Sequence, residues 1–521
     1  MESDEKEYLG NSFVKNTFII SLLRVTARII GFVRQIMIAN IFGASSLTDA
    51  YFVAYQFQAV VGLLLGLGPF QSIVTTSIIN EKEEKGDKNS SLLLGKIISN
   101  QIIVGVLFLV ILFIFAEKWV GLIAPGFDSH TAEVLMKLSY LILLGTLFLS
   151  LMSIASSALH SIRIFAIPEL SYTLNSLLVL ICLLLFYKFI SIYSLGIGHF
   201  LGGILSFAII LYFLYKYNLI TPAKPDFKSP KIREVYILYL SVGAFTLFNQ
   251  IFVLAERHFA SYLEPGKVTA ISLAHMLVGS VLYTVISPML LVMHTELSLA
   301  FASSVKKFEK TFAKFLNMIL YIMFPLSLLL FLLAKHLISF LFFHGKFDLH
   351  AVVSTSIALK VFAVGLVFQG TYLYLLRVIT AMKCIKIYTP RAVALWIFSI
   401  LLIWHLFMSY EYMGILVSFV ISFAMHTILL FAIIYSRLRS VRAHIFIPIL
   451  KIIFISSVSF LASFLSLRGQ LSLFSPVSPT LRNFLVLICT TFVFLSLYLL
   501  GSAIFKLEYP RYLVGFFRRK H

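Results

Sequence analysis

The sequence predicts an all-α polytopic membrane protein with about fourteen transmembrane helices, in which two pseudo-repeated six-helix lobes precede a C-terminal helix pair. The first observation is composition: 60% of the 521 residues are hydrophobic and 12% are charged, which is typical of a membrane protein and not of a soluble enzyme. The second is that the basic residues occupy short gaps between apolar segments. The third is a repeat of short motifs about 220 residues apart.

The first apolar segment, residues 16–43, is long enough to span a bilayer but carries Arg24, Arg28 and Arg34. On a helix these three side chains lie within an arc of about 120°, so one face can hold all of them. An arginine at the centre of a spanning helix costs roughly 2.5–3.5 kcal/mol, and it should therefore face a protein interior, a wet cavity or an anionic partner. We predict that this helix forms one wall of a cationic cavity.

The other apolar segments are bounded by charged residues or by Gly and Pro clusters. With the first segment, they predict helices centred near residues 28, 62, 105, 145, 178, 203, 247, 283, 325, 365, 397, 423, 456 and 493. The acidic N-terminus does not resemble a cleaved signal peptide, so we expect insertion without cleavage.

The basic segments predict the orientation of the chain. If the N-terminus lies inside, Lys and Arg are concentrated on the inner side, as the positive-inside rule requires. Both termini are then cytoplasmic, and this topology explains the net charge of +20 better than a nucleic-acid partner does. The inner segments are EKEEKGDK (81–88), KPDFKSPKIR (224–233), KKFEK (306–310), KCIKIYTPR (383–391), RLRSVR (437–442) and the tail ending in RRKH (518–521).

A repeat relates the two halves. PGFDSH (125–130) is matched by HGKFDLH (344–350), and each copy is followed by a long apolar stretch and then by a basic residue, Arg163 or Lys383. IANIFGASSLTDAYFVAY (38–55) more loosely echoes residues 258–275. Duplicated halves around a central site recur in transporters, where one half rocks against the other. The spacing predicts lobes at 1–220 and 221–440, followed by two additional helices and a basic tail at 441–521.

The arginines of the first helix have two interpretations. They can snorkel to a membrane edge or pair with acids for structure. Alternatively, they bind a phosphate-bearing lipid headgroup, because a guanidinium matches phosphate oxygens in a bidentate manner and keeps its charge at low dielectric. The depth of Arg24 and Arg28 favours binding. Asp49, near the start of the second helix, is either favoured there by the helix dipole or orients an arginine.

Later helices supply further candidates. Arg257 lies in roughly the repeat-equivalent region of Arg34, and it either supplies cationic charge or marks a solvated helix end together with Glu256 and His258. Arg377 and Lys360 are secondary candidates. Isolated histidines in apolar segments are more often packing residues than proton relays, and none of these forms a metal motif. They are His199, His275, His294, His405 and His426.

Sequence motifs for catalysis are absent from the chain. It contains no GxxxxGK[ST] nucleotide-binding loop, no HExxH and no nucleophile elbow. We therefore expect a transporter without a cofactor and not an enzyme. Its energy would come from an ion gradient such as that of a monovalent cation, from the membrane potential or from substrate flux. The potential is worth about 2.3 kcal/mol per charge per 100 mV.

The stretch RIIGFVRQIMIANIFGASSLTDAYFVAY (28–55) resembles the first-helix signature of the MurJ (MviN) lipid II flippases, a family of the multidrug/oligosaccharidyl-lipid/polysaccharide exporter superfamily. APGF (124–127), RIFAIPEL (163–170) and FHGKFD (343–348) are also similar, as are residues 254–275 and 377–390. The resemblance covers nearly the whole chain. It implies fourteen helices, two six-helix lobes that form a cationic cavity, and a last helix pair bordering a groove for an isoprenoid tail.

The resemblance also assigns residues. It implies that Arg28 and Arg34 are cavity arginines and that Asp49 is the acid of the family's TDAFFVA segment, whereas Arg24 is a candidate from spacing alone.

The chain departs from the family pattern in two helices. QAVVGLLLGLGP (58–69) replaces PNLLRRLFAEGA, so that the positions of the twin arginines hold Gly62 and Leu63 and that of the acid holds Leu67. LAHML (273–277) replaces YADRL, so that His275 occupies the position of the family's acid and Met276 that of its arginine. Cavity cations implied by the family are thus missing from the second and eighth helices.

We expect a flippase that moves lipid II, the undecaprenyl-diphosphate-linked peptidoglycan precursor, across the bacterial cytoplasmic (inner) membrane by alternating access. Arg28 and Arg34 would bind the diphosphate, Arg24, Arg257 and Arg377 would add charge, and Asp49 would orient a partner. The protein is expected to act as a monomer among membrane lipids.

Three alternatives remain at the level of sequence. The closest is the same fold carrying another polyprenyl-diphosphate-linked oligosaccharide, of the O-antigen or exopolysaccharide type, which the missing arginines favour. An integral membrane enzyme acting on lipid-linked sugars would have large outer loops, but the predicted outer gaps are short. A cation-coupled exporter of amphipathic drugs would have an acid in its cavity, but the predicted cavity is basic.

Overall fold

The computed structural model describes residues 2–438 and 442–510, with side chains for residues 21–240, 246–438 and 447–510. Regular structure in these residues is helical throughout, which confirms the predicted fold class. The helices are α1 (Glu2–Phe42), α2 (Ser46–Leu64), α3 (Pro69–Lys85), α4 (Asp87–Ile114), α5 (Ala116–Ile123), α6 (Ser129–Ser161), α7 (Ala166–Ile190), α8 (Tyr193–Lys216), α9 (Pro230–Ala260), α10 (Lys267–Val281), α11 (Ser287–Ser303), α12 (Val305–Phe342), α13 (Leu349–Ala381), α14 (Ile385–Tyr435), α15 (Arg442–Leu473) and α16 (Pro479–Ile504).

The number of membrane-length helices agrees with the sequence prediction. In the described part of the chain, 12 helical segments are long and apolar enough to cross a membrane. One of them, α14, contains two helices that meet at Glu411, where φ is 45°. Counting its two arms separately and adding the 31-residue α9 brings the number to fourteen. The predicted basic tail at 518–521 lies outside the described residues.

The chain divides into two compact units, Met1–Pro265 and Gly266–His521. In the first unit, α6 packs against α2 and α8, and α7 packs against α1 and α8. In the second unit, α13 packs against α10, α12 and α14, and the C-terminal pair α15–α16 packs against α12. The lobe boundaries near residues 220 and 440 stay predictions.

The repeated motifs begin equivalent helices. Asp128 is the N-cap of α6 and accepts a hydrogen bond from the Thr131 N–H at 3.2 Å. Asp348 is the N-cap of α13 and accepts one from the Ala351 N–H at 2.8 Å. A capping carboxylate satisfies a backbone N–H that has no partner within the helix. Both helices contain 33 residues, so the repeat in the sequence is also a repeat of structure.

The same two helices end alike. Arg163 and Lys383, the basic residues of the repeat, have φ angles of 63° and 57°. After each, the next N–H reaches back five residues, from Ile164 to the Leu159 carbonyl at 2.8 Å and from Cys384 to the Ile379 carbonyl at 2.9 Å. This left-handed ending satisfies helix-end carbonyls. The repeat therefore extends to backbone geometry in both units.

Each unit contains one discontinuous membrane helix, α2–α3 in the first unit and α10–α11 in the second. In the first unit, α2 and α3 are separated by Gly66 and Gly68, with φ angles of 101° and 88°, and α3 begins at Pro69. In the second unit, a π-helical turn at Leu282–Ile286 joins α10 to α11, whose second residue is Pro288. Interrupted helices at corresponding positions of two repeats are a recurrent feature of transporter binding regions.

The break after α2 exposes a carbonyl that neighbouring helices satisfy. The Leu65 carbonyl accepts hydrogen bonds from Gln101 Nε2 of α4, at 2.7 Å, and from Ser150 Oγ of α6. Unsatisfied backbone groups are costly in a lipid environment, so non-helical backbone at membrane depth requires such partners.

A proline in α12 has a similar consequence in the second unit. Pro325 has no N–H, so the Tyr321 carbonyl four residues earlier loses its helical donor. The Tyr498 hydroxyl of α16 donates to that carbonyl at 2.8 Å, and the Tyr321 hydroxyl donates to Ser502 Oγ at 3.0 Å. Polar contacts therefore hold the last helix at this proline.

The connection between α8 and α9 lies along α4. Asn100 makes two bonds to the backbone of Asp226, donating from Nδ2 at 3.1 Å and accepting at Oδ1 at 2.8 Å. Lys96 Nζ donates to Asp226 Oδ2 at 2.9 Å, and Ser99 Oγ donates to the Ala223 carbonyl at 2.7 Å. The connection is therefore a fixed part of the first unit.

Candidate functional site

The arginines of α1 lie in two different environments. Arg34 is buried, with 6% of its surface exposed, whereas Arg24 and Arg28 are exposed. Arg34 lies eight residues before the end of α1, about 12 Å along the helix axis. It is therefore well inside a hydrocarbon core of about 30 Å.

Aromatic side chains from α2 and α8 surround Arg34. Its guanidinium carbon lies 5.9 Å from the centroid of the Tyr55 ring. Tyr55 stacks on Tyr51, with ring centroids 6.0 Å apart, and the Tyr51 hydroxyl lies 3.4 Å from His199 Nε2. Tyr51 is fully buried and His199 is 3% exposed. We call Arg34, Tyr51, Tyr55 and His199 the Arg34 cluster.

The Arg34 cluster brings no carboxylate to its arginine. In the described residues, the Arg34 guanidinium interacts with Tyr51, with His199 and, through a hydrogen bond as well, with Tyr55, while its buried Nε has no hydrogen-bond partner. A cation–π contact contributes about 0.5–2 kcal/mol, less than the roughly 2.5–3.5 kcal/mol cost of an arginine at this depth. An anion beside the guanidinium would offset the remainder, so the cluster suits a negatively charged ligand.

The local sequence explains how α2 presents its tyrosines. Ser45 and Thr48 form a capping box at the start of the helix, and Asp49 lies in its first turn, where the helix dipole favours a carboxylate. Asp49 is 2% exposed. Tyr51 and Tyr55 are four residues apart and therefore share one helix face, which places both beside α8.

Most of α2 is buried, but three neighbouring positions are accessible. Between Thr48 and Leu63, the residues outside the buried set are Tyr55, Gln56 and Ala59. Tyr55 has 39% of its surface exposed. Gln56 Nε2 donates to Gln250 Oε1 of α9 at 3.1 Å. We call Tyr55, Gln56, Ala59 and Gln250 the accessible strip.

Arg24 has an acidic partner. Its guanidinium pairs with Glu169 Oε1 of α7, and the Nε–Oε1 distance is 2.9 Å. The Thr173 hydroxyl donates to the Leu23 carbonyl at 3.3 Å, which adds a second link between the same helices. Arg24 thus pairs with an acid, as one of its two predicted roles requires. A role of Arg24 in binding substrate stays a prediction.

The remaining predicted cations are dispersed. Arg257 is 4% exposed in the last turn of α9, next to the fully buried Glu256. His258 Nδ1 lies 2.7 Å from the Leu122 carbonyl. Arg377 is exposed on α13 in the second unit, and Lys360 Nζ lies 5.9 Å from the Phe331 ring. Roles for Arg28, Asp49, Arg257 and Arg377 in binding stay predictions.

Two histidines of the second unit, His275 and His426, pack among aromatic rings. His275, at the family's acid position, stacks on Phe362 with centroids 4.1 Å apart and meets Phe419 edge-on at 4.5 Å. His426 Nδ1 lies 3.3 Å from the Tyr388 hydroxyl. In the first unit, Gly62 and Leu63 are buried in α2. Gly62, Leu63 and His275, three of the positions that depart from the family pattern, thus lie in packed surroundings.

Sequence reasoning missed Tyr51, Tyr55, Gln56 and Glu169, and it treated His199 as a packing residue. The tyrosines and Gln56 lie in or directly after the TDAYFVAY motif, and Glu169 lies in RIFAIPEL. Only tertiary structure brings α2 next to α8 and α9, and α1 next to α7. Local sequence patterns therefore gave no signal for these contacts.

Comparison with known families gives one match over most of the chain. The family model described as "Lipid II flippase MurJ" matches residues 38–468. A protein of Buchnera aphidicola subsp. Acyrthosiphon pisum, named probable lipid II flippase MurJ, is 28% identical over 466 residues, 88% of this chain and 91% of that protein. The protein of the same name from Borreliella burgdorferi is 26% identical over 369 residues, 70% of this chain and 71% of that protein.

Solved structures show the same fold. The structure described as "Lipid II flippase MurJ, inward closed conformation" has a TM-score of 0.78 at 20% identity, covering 94% of this chain and 98% of that one. An inward-facing multidrug resistance MATE family transporter of the MOP superfamily has a TM-score of 0.66 at 14% identity, covering 80% of this chain and 95% of that one.

Proposed function

Because the chain belongs to the MurJ family of lipid II flippases, we propose that it translocates lipid II, the undecaprenyl-diphosphate-linked peptidoglycan precursor, across the bacterial cytoplasmic membrane by alternating access. The relatives from Buchnera and Borreliella carry the name probable lipid II flippase MurJ, and this supports lipid II over another polyprenyl-diphosphate-linked oligosaccharide. The protein is a multi-pass membrane transporter, not an enzyme.

The observation that carries the mechanism is the burial of Arg34 without a carboxylate partner in the described residues. Arg34 binds the diphosphate, because a guanidinium remains charged inside a membrane protein and offers paired donors to phosphate oxygens. Tyr55 holds the guanidinium from one side. Arg28 adds charge on the same helix, and Asp49 orients the charged groups at the start of α2.

The energy for transport comes from the membrane potential or from a monovalent cation gradient. The diphosphate headgroup is anionic, and moving one charge through 100 mV changes its free energy by about 2.3 kcal/mol. This is comparable with the bias that a two-state carrier needs to favour one orientation. The chain acts as a monomer, with membrane lipids as its surroundings.

The test is an assay of lipid II accessibility at the outer leaflet, in cells depleted of their own lipid II flippase. We expect wild type to restore translocation and growth. Arg34→Ala should insert normally but lower translocation about ten- to hundredfold, because a hydrogen-bonded charged contact is worth about 1.5–3 kcal/mol. Arg34→Lys should fall between these two, because it keeps the charge and loses the bidentate geometry.

The control is Arg468→Ala, an exposed arginine of α15, which should behave as wild type. Full translocation by Arg34→Ala would overturn the assignment of the diphosphate to this residue. Failure of well-inserted wild type to complement, combined with rescue of a strain lacking an O-antigen flippase, would overturn lipid II as the substrate.

A further inference from the structure

The α2 residues of the accessible strip interrupt the otherwise buried surface of that helix. Between Thr48 and Leu63, only Tyr55, Gln56 and Ala59 remain outside the buried set. On a helix, positions i, i+1 and i+4 lie within an arc of about 100°, so one face can hold all three. Tyr55 lies nine residues from the start of α2, about 13 Å along its axis. The patch therefore lies at a depth similar to that of Arg34.

The chemistry of this patch is neutral and polar. Tyr55 offers an exposed aromatic ring, and Ala59 is exposed and has a small side chain. Gln56 uses Nε2 to bind Gln250 Oε1. Each amide has one acceptor oxygen and two N–H donors. The pair therefore retains an acceptor on Gln56 and donors on Gln250 for a ligand.

A purely structural role explains this arrangement less well. An amide pair that only joins two helices gains most when water and ligands are excluded from it. Gln56 and Gln250 are both partly accessible. The adjacent Tyr55 ring is accessible too, although burying it would gain about 25 cal/mol for each Å² of apolar surface removed from water. The fold keeps these three side chains accessible together.

We infer that Tyr55, Gln56 and Gln250 form a carbohydrate-binding subsite that recognises the glycan of the transported lipid. This inference rests on the proposed function, since it places the sugar next to a diphosphate held by Arg34. The Tyr55 ring packs against the apolar face of a sugar ring, and the amide pair exchanges hydrogen bonds with its hydroxyl groups. Ala59 leaves room for the sugar.

The position of Tyr55 connects the two parts of the site. One of its contacts is the Arg34 guanidinium, 5.9 Å from the ring centroid, and the next residue along α2 is Gln56. A sugar directly linked to a phosphate held at Arg34 would therefore reach Tyr55 first and the amide pair next. The strip carries no charge, so it suits the glycan better than an acidic peptide.

The experiment measures binding of two lipids to purified protein in nanodiscs: undecaprenyl diphosphate, and the same lipid carrying its disaccharide. We expect wild type to bind the sugar-bearing lipid about tenfold more tightly, as one or two net hydrogen bonds provide. Gln56→Leu and Gln250→Leu should remove this difference while binding undecaprenyl diphosphate as wild type does. Gln56→Asn, which shortens the amide, should also reduce it.

The matched control is Gln71→Leu, a partly accessible amide of α3 that lies 3.5 Å from His160 Nδ1; it should retain the sugar-dependent gain. Binding of the bare lipid reports in each variant that the protein is folded. An unchanged gain in Gln56→Leu and Gln250→Leu would overturn the subsite, and so would an equal loss for both lipids.

Arg34→Ala separates this inference from the proposed function. If Arg34 holds the diphosphate, this variant loses affinity for both lipids. If Arg34→Ala binds both lipids normally while the Gln56 and Gln250 variants lose only the sugar-dependent gain, then the diphosphate assignment fails and the carbohydrate subsite stands.

Discussion

Arg24 and Arg34 show that two arginines on one membrane helix can have different physical roles. Arg24 is exposed and pairs with Glu169 of the neighbouring helix, an arrangement that contributes little to stability when solvent screens it. Arg34 is buried against two tyrosines and has no carboxylate among the described residues. The buried arginine is the one whose charge calls for a ligand.

At the residue scale, we predict that Tyr51→Phe destabilises the protein by about 1 kcal/mol. The change removes the hydroxyl 3.4 Å from His199 Nε2 and leaves a buried ring nitrogen without its partner, which costs about 1–3 kcal/mol; the long distance favours the low end. Chemical unfolding in detergent micelles would measure the effect. The control Tyr212→Phe, at a residue 62% exposed, should change stability by less than about 0.5 kcal/mol. An equal effect of both changes would contradict the prediction.

At the scale of elements, the interrupted helices determine where polar backbone occurs inside the membrane. The break between α2 and α3 requires Gln101 and Ser150 to bind the Leu65 carbonyl. It also requires glycine at two positions with positive φ, because a Cβ atom is strained there. The break therefore depends both on its own glycines and on the polar side chains that α4 and α6 place beside it.

The glycines of this break give a graded prediction. Gly68→Ala should cost about 1–3 kcal/mol through its backbone conformation alone, with φ 88° and ψ −111°, since a Cβ there meets nothing within 4 Å. Gly66→Ala should cost more, because its Cβ would also lie 2.9 Å from Phe70 Cδ1. Gly121→Ala, in helical α5 with open space around it, should be neutral or stabilising. Thermal unfolding in one detergent would rank the three, and any other order would contradict the strain argument.

The connection along α4 leads to a prediction about pH. The pKa of the Asp226 carboxyl lies below its usual 3.8. The largest cause is the hydrogen bond that the Lys96 ammonium donates to it, and the N–H groups of Ser229 and Lys228 add to the effect. A lowered folded-state pKa means that the stabilisation is complete above about pH 3.8 and is lost as the pH falls through the folded-state pKa. Asp226→Asn should therefore melt below wild type at neutral pH, and the difference should shrink in acid.

Limited proteolysis of residues 217–229 would provide a second readout, with faster cleavage in Asp226→Asn at neutral pH. Glu84→Ala, at an exposed position of α3, is the control and should follow wild type at every pH. A difference between Asp226→Asn and wild type that is constant down to pH 2 would contradict the ionic explanation.

At the scale of the whole molecule, we predict that both termini are cytoplasmic, because the positive-inside rule places the basic segments on that side. A fluorescent protein fused after residue 521 should fluoresce, since it folds in the cytoplasm. Alkaline phosphatase inserted at residues 474–478, between α15 and α16, should be active on the outer side. The same insertion at residue 304, between α11 and α12, should be inactive. The reverse pattern would contradict the orientation.

Helices and repeats could be predicted from the sequence, whereas most of the site could not. Apolar length and the two motifs containing Asp128 and Asp348 are local signals, and both correspond to elements of the fold. Pairing of Tyr51 with His199 joins residues 148 apart, and pairing of Arg24 with Glu169 joins residues 145 apart. No periodicity within one helix encodes such contacts. Gly66, Gly68 and Pro69 are typical of a break at residues 65–68, but the apolar residues on both sides make the stretch look like one continuous membrane helix.

Through Tyr498, α16 supplies the hydrogen bond that the Tyr321 carbonyl of α12 loses because of Pro325. Without α16, the Tyr321 carbonyl of α12 would lose this donor and would lack a hydrogen bond at membrane depth. Pro325 and Tyr498 are thus physically coupled: without the proline, the Tyr321 carbonyl would keep its helical donor, and the Tyr498 hydroxyl would not be needed to satisfy it. The helix pair α15–α16 is therefore joined to the second unit by polar contacts as well as by apolar packing.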